Sequence, residues 1–288
     1  MSLIRRILAK SEDTDEQVLM DPTASAASAT RSAHLRVGRA SDVGQARTHN
    51  EDVLLTIEST FDGDEPLEPF GLFIIADGMG GHHAGEVASS LATRMVANQL
   101  IRDVYMPYLI HGADHTNQVP LADALQNAVE AANQAVHDQV PGSGTTLTCA
   151  LVIDSRAYLA HVGDSRAYLY YNQQLKQVTK DHSYVDKLVE LGQISAEAAA
   201  VHPQRNVLYR AVGQGDQLEI DLYLIDLPPG SRLLLCCDGL WGMLSDAVIQ
   251  AILASAKTPQ DACNELIAAA NEAGGRDNIT AVIVERVG

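Results

Sequence analysis

The chain has 288 residues, 46% of them hydrophobic, and a formal net charge of -17. That length and apolar share suffice for one large hydrophobic core or two smaller ones. The negative field argues against nucleic acid or an anionic membrane surface as the main partner, and an anionic substrate would need local positive charge from metal ions or an arginine.

Residues 1–34 stand apart from the rest. Leu3, Ile4, Ile7 and Leu8 share a helical face beside Arg5, Arg6 and Lys10. This pattern fits either a basic amphipathic anchor or a frayed terminus. Ser11 to Thr30 is rich in Ser, Ala, Thr, Asp and Glu and reads as a flexible N-terminal extension. No long apolar run follows Arg5-Arg6, so a secretory signal is not expected. No stretch is long and apolar enough to span a bilayer. The four cysteines, Cys149, Cys236, Cys237 and Cys263, contain no C-x-x-C pair. Buried free thiols in a reducing, cytoplasmic setting fit better than a zinc site or disulfides.

From Leu35 onward strand and helix patterns alternate in blocks. Strands are predicted at 35–42, 53–58, 70–76, 145–153, 156–162, 166–171, 218–226, 231–237 and 279–286. Helices are predicted at 84–103, 121–138, 183–191, 245–255 and 259–273. Tyr105 to Pro120, with His111 and His115, reads as a loop between helices. Blocks of strands and helices favour antiparallel sheets with packed helices over a doubly wound sheet. Thr179 to Gly213 is an irregular excursion holding two short helical pieces around Gly192-Gln193-Ile194-Ser195, and its length suggests a lid or binding loop.

One motif recurs: an apolar strand with an aspartate at its end. Leu72 to Ala76 runs into Asp77-Gly78-Met79-Gly80-Gly81. Leu233 to Cys237 runs into Asp238-Gly239, and Leu159 to Val162 into Gly163-Asp164-Ser165-Arg166. Asp277 precedes the run Ile279 to Val284, and Asn50-Glu51-Asp52 precedes Val53 to Leu55. Any one of these aspartates could simply close a turn, as Asp62-Gly63 is read to do. Together they suggest one site for hard cations with oxygen ligands.

The set resembles a known family. Ser41-Asp42-Val43-Gly44, Arg47 and Asn50-Glu51-Asp52 resemble the opening motif of bacterial metal-dependent serine/threonine phosphatases of the PP2C type. Asp77 to His82, Ser143-Gly144-Thr145-Thr146, His161 to Arg166, Cys237 to Trp241 and Gly275 to Thr280 resemble the later motifs, in order. Lys180-Asp181-His182-Ser183 and His202-Pro203 through Arg205-Asn206 resemble the two ends of the family's mobile flap, here about 179–213. The resemblance covers residues 35–288 as one catalytic domain. It implies an α+β, four-layer α-β-β-α sandwich: two antiparallel sheets flanked by pairs of antiparallel helices.

It also implies roles. Asp77 would bridge two Mn²⁺ or Mg²⁺ ions, with Asp238 and Asp277 completing the first. Asp52 and the backbone carbonyl of Gly78 would hold the second, with Glu51 acting through water. Asp164, with Asp238, resembles the ligands of a weaker third ion. Two cations about 4 Å apart can ionise a water near neutral pH, and that hydroxide would attack phosphorus in line without a covalent phospho-enzyme. Arg47 would hold the phosphoryl oxygens by a bidentate fork. Met79 stands where animal members carry a histidine proposed as general acid, so metal-bound water would take that role. His82 and His83 read as structural or exposed, and His161 as a core histidine. The implied substrates are phosphorylated serines and threonines in proteins, opposing a Ser/Thr kinase, and a monomer is expected. Two alternatives remain at this point: a catalytically inactive binding module, or a phosphatase of a small phosphorylated metabolite.

Overall fold

The computed structural model describes residues 33–61, 67–80, 84–112 and 120–288. The amphipathic pattern at Leu3 to Lys10, the extension to Thr30, the turn at Asp62-Gly63, and His82, His83 and His115 lie outside the described residues.

Two antiparallel sheets form the centre. The first runs β1 (His34–Asp42), β11 (Ile279–Val287), β10 (Arg232–Cys236), β7 (Arg166–Tyr171) and β8 (Gln174–Gln177). The second runs β2 (Asp52–Phe61), β3 (Leu67–Met79), β5 (Leu147–Ile153), β6 (Arg156–Val162) and β9 (Asp221–Asp226), with the two-residue β4 (Gly144–Thr145) against the end of β3.

Alternation along the strands explains the layering, because successive side chains point to opposite sheet faces. Phe73 and Ile75 of β3 join Leu159, Leu233, Leu235, Val282 and Val284 in the core between the sheets. Their neighbours Leu72 and Ile74 face outward, onto α1 (Ala84–Leu100) and α3 (Leu121–Gln139). On the other sheet Leu234, Ile279, Ala281 and Ile283 turn toward α7 (Asp246–Ser255) and α8 (Pro259–Glu272). Each of these strands is covered on both faces, so they read as unbroken apolar runs. A buried side chain of this size stabilises by roughly 1.5–3 kcal/mol relative to exposure. The expected α+β sandwich, with sheets inside and helix pairs outside, is therefore the observed architecture.

The strand boundaries differ where tertiary pairing extends them. β3 does not end at Ala76 but carries Asp77, Gly78 and Met79 as strand, because Gly78 and Met79 pair with Thr145 and Gly144. β8 is polar, Gln174 to Gln177, and exists because it pairs with β7. The segment after α1 is not a loop at its start. A π-helical turn over Ile101–Tyr105 leads into α2 (Met106–His111), where Pro107 is accommodated in the first turn. Tyr108 is buried against Phe70, and its hydroxyl donates to the Glu68 carbonyl at 2.6 Å. Packing on β3 thus orders a stretch whose local sequence reads as irregular.

The stretch 179–213 carries α4 (Tyr184–Glu190) and α5 (Ala196–Ala200), each capped by a serine: Ser183 Oγ accepts from the Asp186 amide, and Ser195 Oγ from the Ala198 amide.

Candidate active site

Strand pairing builds the centre of the site. Asp52, first residue of β2, lies directly opposite Asp77 in the β2–β3 register. The Asp77 backbone is clamped by the next motif: its amide donates to Thr146 Oγ1 at 2.9 Å, and its carbonyl accepts from the Thr146 amide and Thr145 Oγ1, both at 2.9 Å. Gly78 must be glycine. A Cβ there would strike the Gly85 carbonyl and lie 2.8 Å from the Glu51 carbonyl, whose oxygen accepts the Gly78 amide at 3.2 Å. Asp238 opens the short helix α6 (Asp238–Trp241) immediately after β10, and Asp277 lies just before β11. The Gly239 Cα packs on the Asn278 carbonyl, where a Cβ would not fit.

The electrostatics show that these carboxylates share one place. Burial pushes the Asp52 carboxyl up to about 7; a 2.6 Å hydrogen bond from Thr280 Oγ1 pulls the other way. Asp77 is raised well above the usual carboxylate range by burial and then by the charges of Asp52, Asp238, Asp164 and Asp277. Asp164 is raised by burial and by Asp238, and Asp238 by burial and by Asp277. Two buried carboxylate oxygens, Asp52 Oδ1 and Asp238 Oδ1, have no hydrogen-bond partner. An unsatisfied buried carboxylate oxygen is costly, and such an oxygen fits a cation ligand or a protonated acid. Among the described residues no three of these side chains are already closed into an ion-holding group. Arg47, half exposed, donates through Nη2 to Asp277 Oδ2 at 2.7 Å, and that bond raises its pKa.

Of the residues singled out from sequence, Asp52, Asp77, Gly78, Glu51, Asp164, Asp238, Asp277 and Arg47 all belong to this neighbourhood. Glu51 contributes its backbone to the Gly78 contact, and its side-chain Oε1 lies 3.0 Å from where a Cβ on Gly85 would stand.

Three supporting residues were not legible beforehand. Asn278 is buried; its Oδ1 accepts from the Glu51 amide at 2.8 Å, and its Nδ2 donates to the carbonyls of Val43 and His49 at 3.0 and 2.9 Å. It ties the loop bearing Arg47 to the turn that carries Asp277 into β11. An Asn beside a site aspartate, between a glycine turn and an apolar run, is the signal that could have found it. Cys237 donates to the Asn278 carbonyl at 3.3 Å and accepts from the Thr280 amide at 3.0 Å. Burial holds its thiol protonated.

The third is His182. The Gly163 amide donates to His182 Nδ1 at 3.1 Å, while the His182 amide donates to the Gly163 carbonyl at 2.7 Å. With Nδ1 accepting, Nε2 carries the proton toward Asp221 Oδ2, 3.3 Å away. His161 is a core histidine, fully buried. Its Nε2 donates to the Lys180 carbonyl at 3.0 Å, Thr148 Oγ1 donates to its Nδ1 at 2.9 Å, and its ring lies 5.0 Å from that of His182. Burial drives its pKa down to about 3. The turn that carries Asp164 is thus pinned from the stem of the 179–213 excursion. Arg166 completes the joint with a fork onto Asp181 at 2.7 and 3.0 Å, stacked 3.6 Å from the Trp241 ring centroid, while Trp241 Nε1 donates to the Asp164 carbonyl at 2.9 Å.

Comparison with known proteins follows the same lines. The family model described as protein phosphatase 2C matches residues 37–208. The chain is 36% identical over 255 residues to the serine/threonine phosphatase stp of Listeria innocua, covering 85% of this chain and 93% of that protein. It superposes on the serine/threonine phosphatase PstP/Ppp of Mycobacterium tuberculosis with a TM-score of 0.73 at 37% identity, covering 88% of this chain and 99% of that one. A PstP catalytic domain solved in complex with two manganese ions matches with a TM-score of 0.70 at 34% identity, covering 89% and 100%. The strand-end aspartates, the two face-to-face sheets and these likenesses agree: the chain belongs to the protein phosphatase 2C family.

Proposed function

We propose that this protein is a metal-dependent phosphatase that hydrolyses phosphoserine and phosphothreonine in other proteins. The observation that carries the reading is the crowd of carboxylates around Asp77, with Asp52 Oδ1 and Asp238 Oδ1 buried and unpartnered. An all-oxygen donor set of this kind suits Mn²⁺ or Mg²⁺, and the two manganese ions of the PstP catalytic domain support the same pair here.

In this reading Asp77, Asp238 and Asp277 would hold one ion, and Asp77, Asp52 and the Gly78 carbonyl a second, with Glu51 contributing through water; Asp164 and Asp238 would hold a weaker third. When bound, the ions supply positive charge to the phosphoryl group and acidify water at neutral pH. Arg47 exchanges Asp277 for the phosphoryl oxygens, and its planar fork fixes their orientation. Met79 has no proton to give, so no side chain at that position protonates the leaving alkoxide. Cys237, the cysteine nearest the carboxylates, is committed to backbone hydrogen bonds and held as the thiol. It is no nucleophile, which supports direct attack by water over a covalent phospho-enzyme.

The substrates are phosphoproteins, with a cognate Ser/Thr kinase as the opposing enzyme. The protein acts as a monomer in the cytoplasm, where four buried free cysteines stay reduced. Among the described residues no helix is long and apolar enough to cross a membrane.

The test is hydrolysis of p-nitrophenyl phosphate and a phosphothreonine peptide with Mn²⁺, with EDTA, and by Asp238→Asn. Turnover of both that is lost with EDTA and in the variant is expected. Metal binding without turnover of either substrate overturns the reading.

A further inference from the structure

Beside the carboxylates lies a cavity of about 670 Å³ with two unlike walls. One wall holds Asp164, Asp238 and Asp277. The apolar part of its lining comes from α4, α5 and the residue after them: Val185, Val189, Ala196, Ala199 and Val201. Trp241 and Met243, which follow Asp238 on and just beyond α6, also line it.

The apolar wall has a local cause. α4 and α5 are single-turn or two-turn helices that bury Val185 and Ala199 beneath them. Val201 is 78% exposed, and Val189 is only partly covered. A surface lid could carry polar residues at those positions at no cost. Instead the chain keeps an uncovered apolar strip in the cavity that also holds the reacting centre.

The charged residues on this side do not change its character. Asp186 is engaged by Ser183 Oγ, which donates to it at 2.8 Å. Arg205 and Arg276 also line the cavity, and both are exposed residues, so their guanidinium groups can stay hydrated while an apolar side chain occupies the valine and alanine surface. A charged side chain pressed on the valine and alanine wall would lose hydration without a partner, whereas an apolar one would gain from burial.

We infer that this wall is a subsite for an apolar side chain of the substrate, a residue flanking the phosphorylated serine or threonine. The occupant is a phosphopeptide with leucine-like chemistry next to the phosphoresidue, because the apolar residues and the carboxylates line one cavity. A chain whose phosphate meets the centre lays its neighbouring residue there. This deepens the phosphatase reading and rests on it. The carboxylate centre supplies chemistry for any phosphate ester, and the wall sorts protein substrates by sequence.

The experiment uses the full chain with Mn²⁺ and a set of phosphothreonine peptides of one length, with leucine, alanine or glutamate at the flanking positions. The wild type is expected to favour leucine over glutamate by about tenfold in kcat/KM, chiefly through KM, as the burial of one aliphatic side chain predicts. In Val189→Glu, and separately in Met243→Glu, the leucine-to-glutamate ratio should fall toward one. Because the ratio is internal to each protein, loss of overall activity in a variant does not imitate it. Equal kcat/KM for all three peptides in the wild type, or a preference for glutamate, overturns the subsite. If p-nitrophenyl phosphate is also not turned over by the wild type, the phosphatase reading itself fails.

Discussion

Asp52 faces Asp77 directly across the β2–β3 pair, two carboxylates placed side by side by strand register. Like charges at neighbouring strand positions destabilise a sheet, and here Asp238, Asp164 and Asp277 add to the repulsion. The fold therefore holds this carboxylate cluster at a cost to stability. Removing one charge should relieve that cost and remove the chemistry together. Asp77→Asn is expected to stabilise the EDTA-treated protein at pH 8 by on the order of 1–2 kcal/mol, read as a higher urea midpoint. The same variant should lose at least about a hundredfold of its phosphatase activity. A variant less stable than wild type in EDTA would contradict the assignment.

Arg47 reaches Asp277 across 230 residues of sequence, yet half of its side chain stays in water. An exposed pair of this kind contributes little to stability, about 1 kcal/mol or less. Its value as a phosphate holder should be larger. Arg47→Ala is expected to lower kcat/KM for p-nitrophenyl phosphate by roughly tenfold to a hundredfold while moving the urea midpoint slightly. Arg47→Lys should recover only part of the loss, because an ammonium group lacks the planar fork. Full recovery by lysine would show that charge alone suffices.

Metal and proton should compete at Asp52. Its folded carboxyl titrates near 7, far above an ordinary carboxylate, because of burial. Between about pH 4 and 7 the folded, metal-free chain keeps a proton that the unfolded chain has released, so its stability falls as pH rises through that window. Mn²⁺ must displace the proton. Calorimetric titration in two buffers of different ionisation heat should show protons released on Mn²⁺ binding at pH 6.5 and few at pH 9. Identical heats in both buffers at pH 6.5 would exclude the coupling.

His161 makes a separate, opposite pH term. It is buried neutral with its pKa driven to about 3, whereas an unfolded histidine takes a proton near 6.5. The unfolded chain thus binds the extra proton, and stability falls as pH drops from 6.5 toward 3, by at most about 1.4 kcal/mol per pH unit for one group. His182, lowered by burial as well, acts in the same sense. In Mn²⁺-free buffer the urea midpoint of His161→Gln should depend less on pH between 6.5 and 5 than that of the wild type. Parallel pH curves would show that the histidine does not titrate on unfolding.

The centre was legible in the sequence where chemistry is written locally. An apolar run followed by Asp-Gly states a buried strand, a carboxylate at its end and a backbone free to approach closely, and no contact need be known to read it. Asp77 and Asp238 could be singled out on those grounds; Asp52 and Asp277 stand before apolar runs instead, and the order of the motifs gathered all four into one set. The sandwich itself came from the resemblance; apolar runs alone did not choose it over other layered folds.

What the tertiary structure alone decided is how polar groups find partners far along the chain. Asn278 ties down the Arg47 loop across 235 and 229 residues, and Thr146 clamps Asp77 across 69. His182 pins the turn before Asp164, and Tyr108 turns a local irregularity into helix by packing on Phe70. Hydrophobic periodicity records which face a residue presents to the core, because burial repeats with the backbone. Hydrogen-bond direction has no such period. It depends on register and on which loop lies overhead, and both exist only once the sheets have stacked.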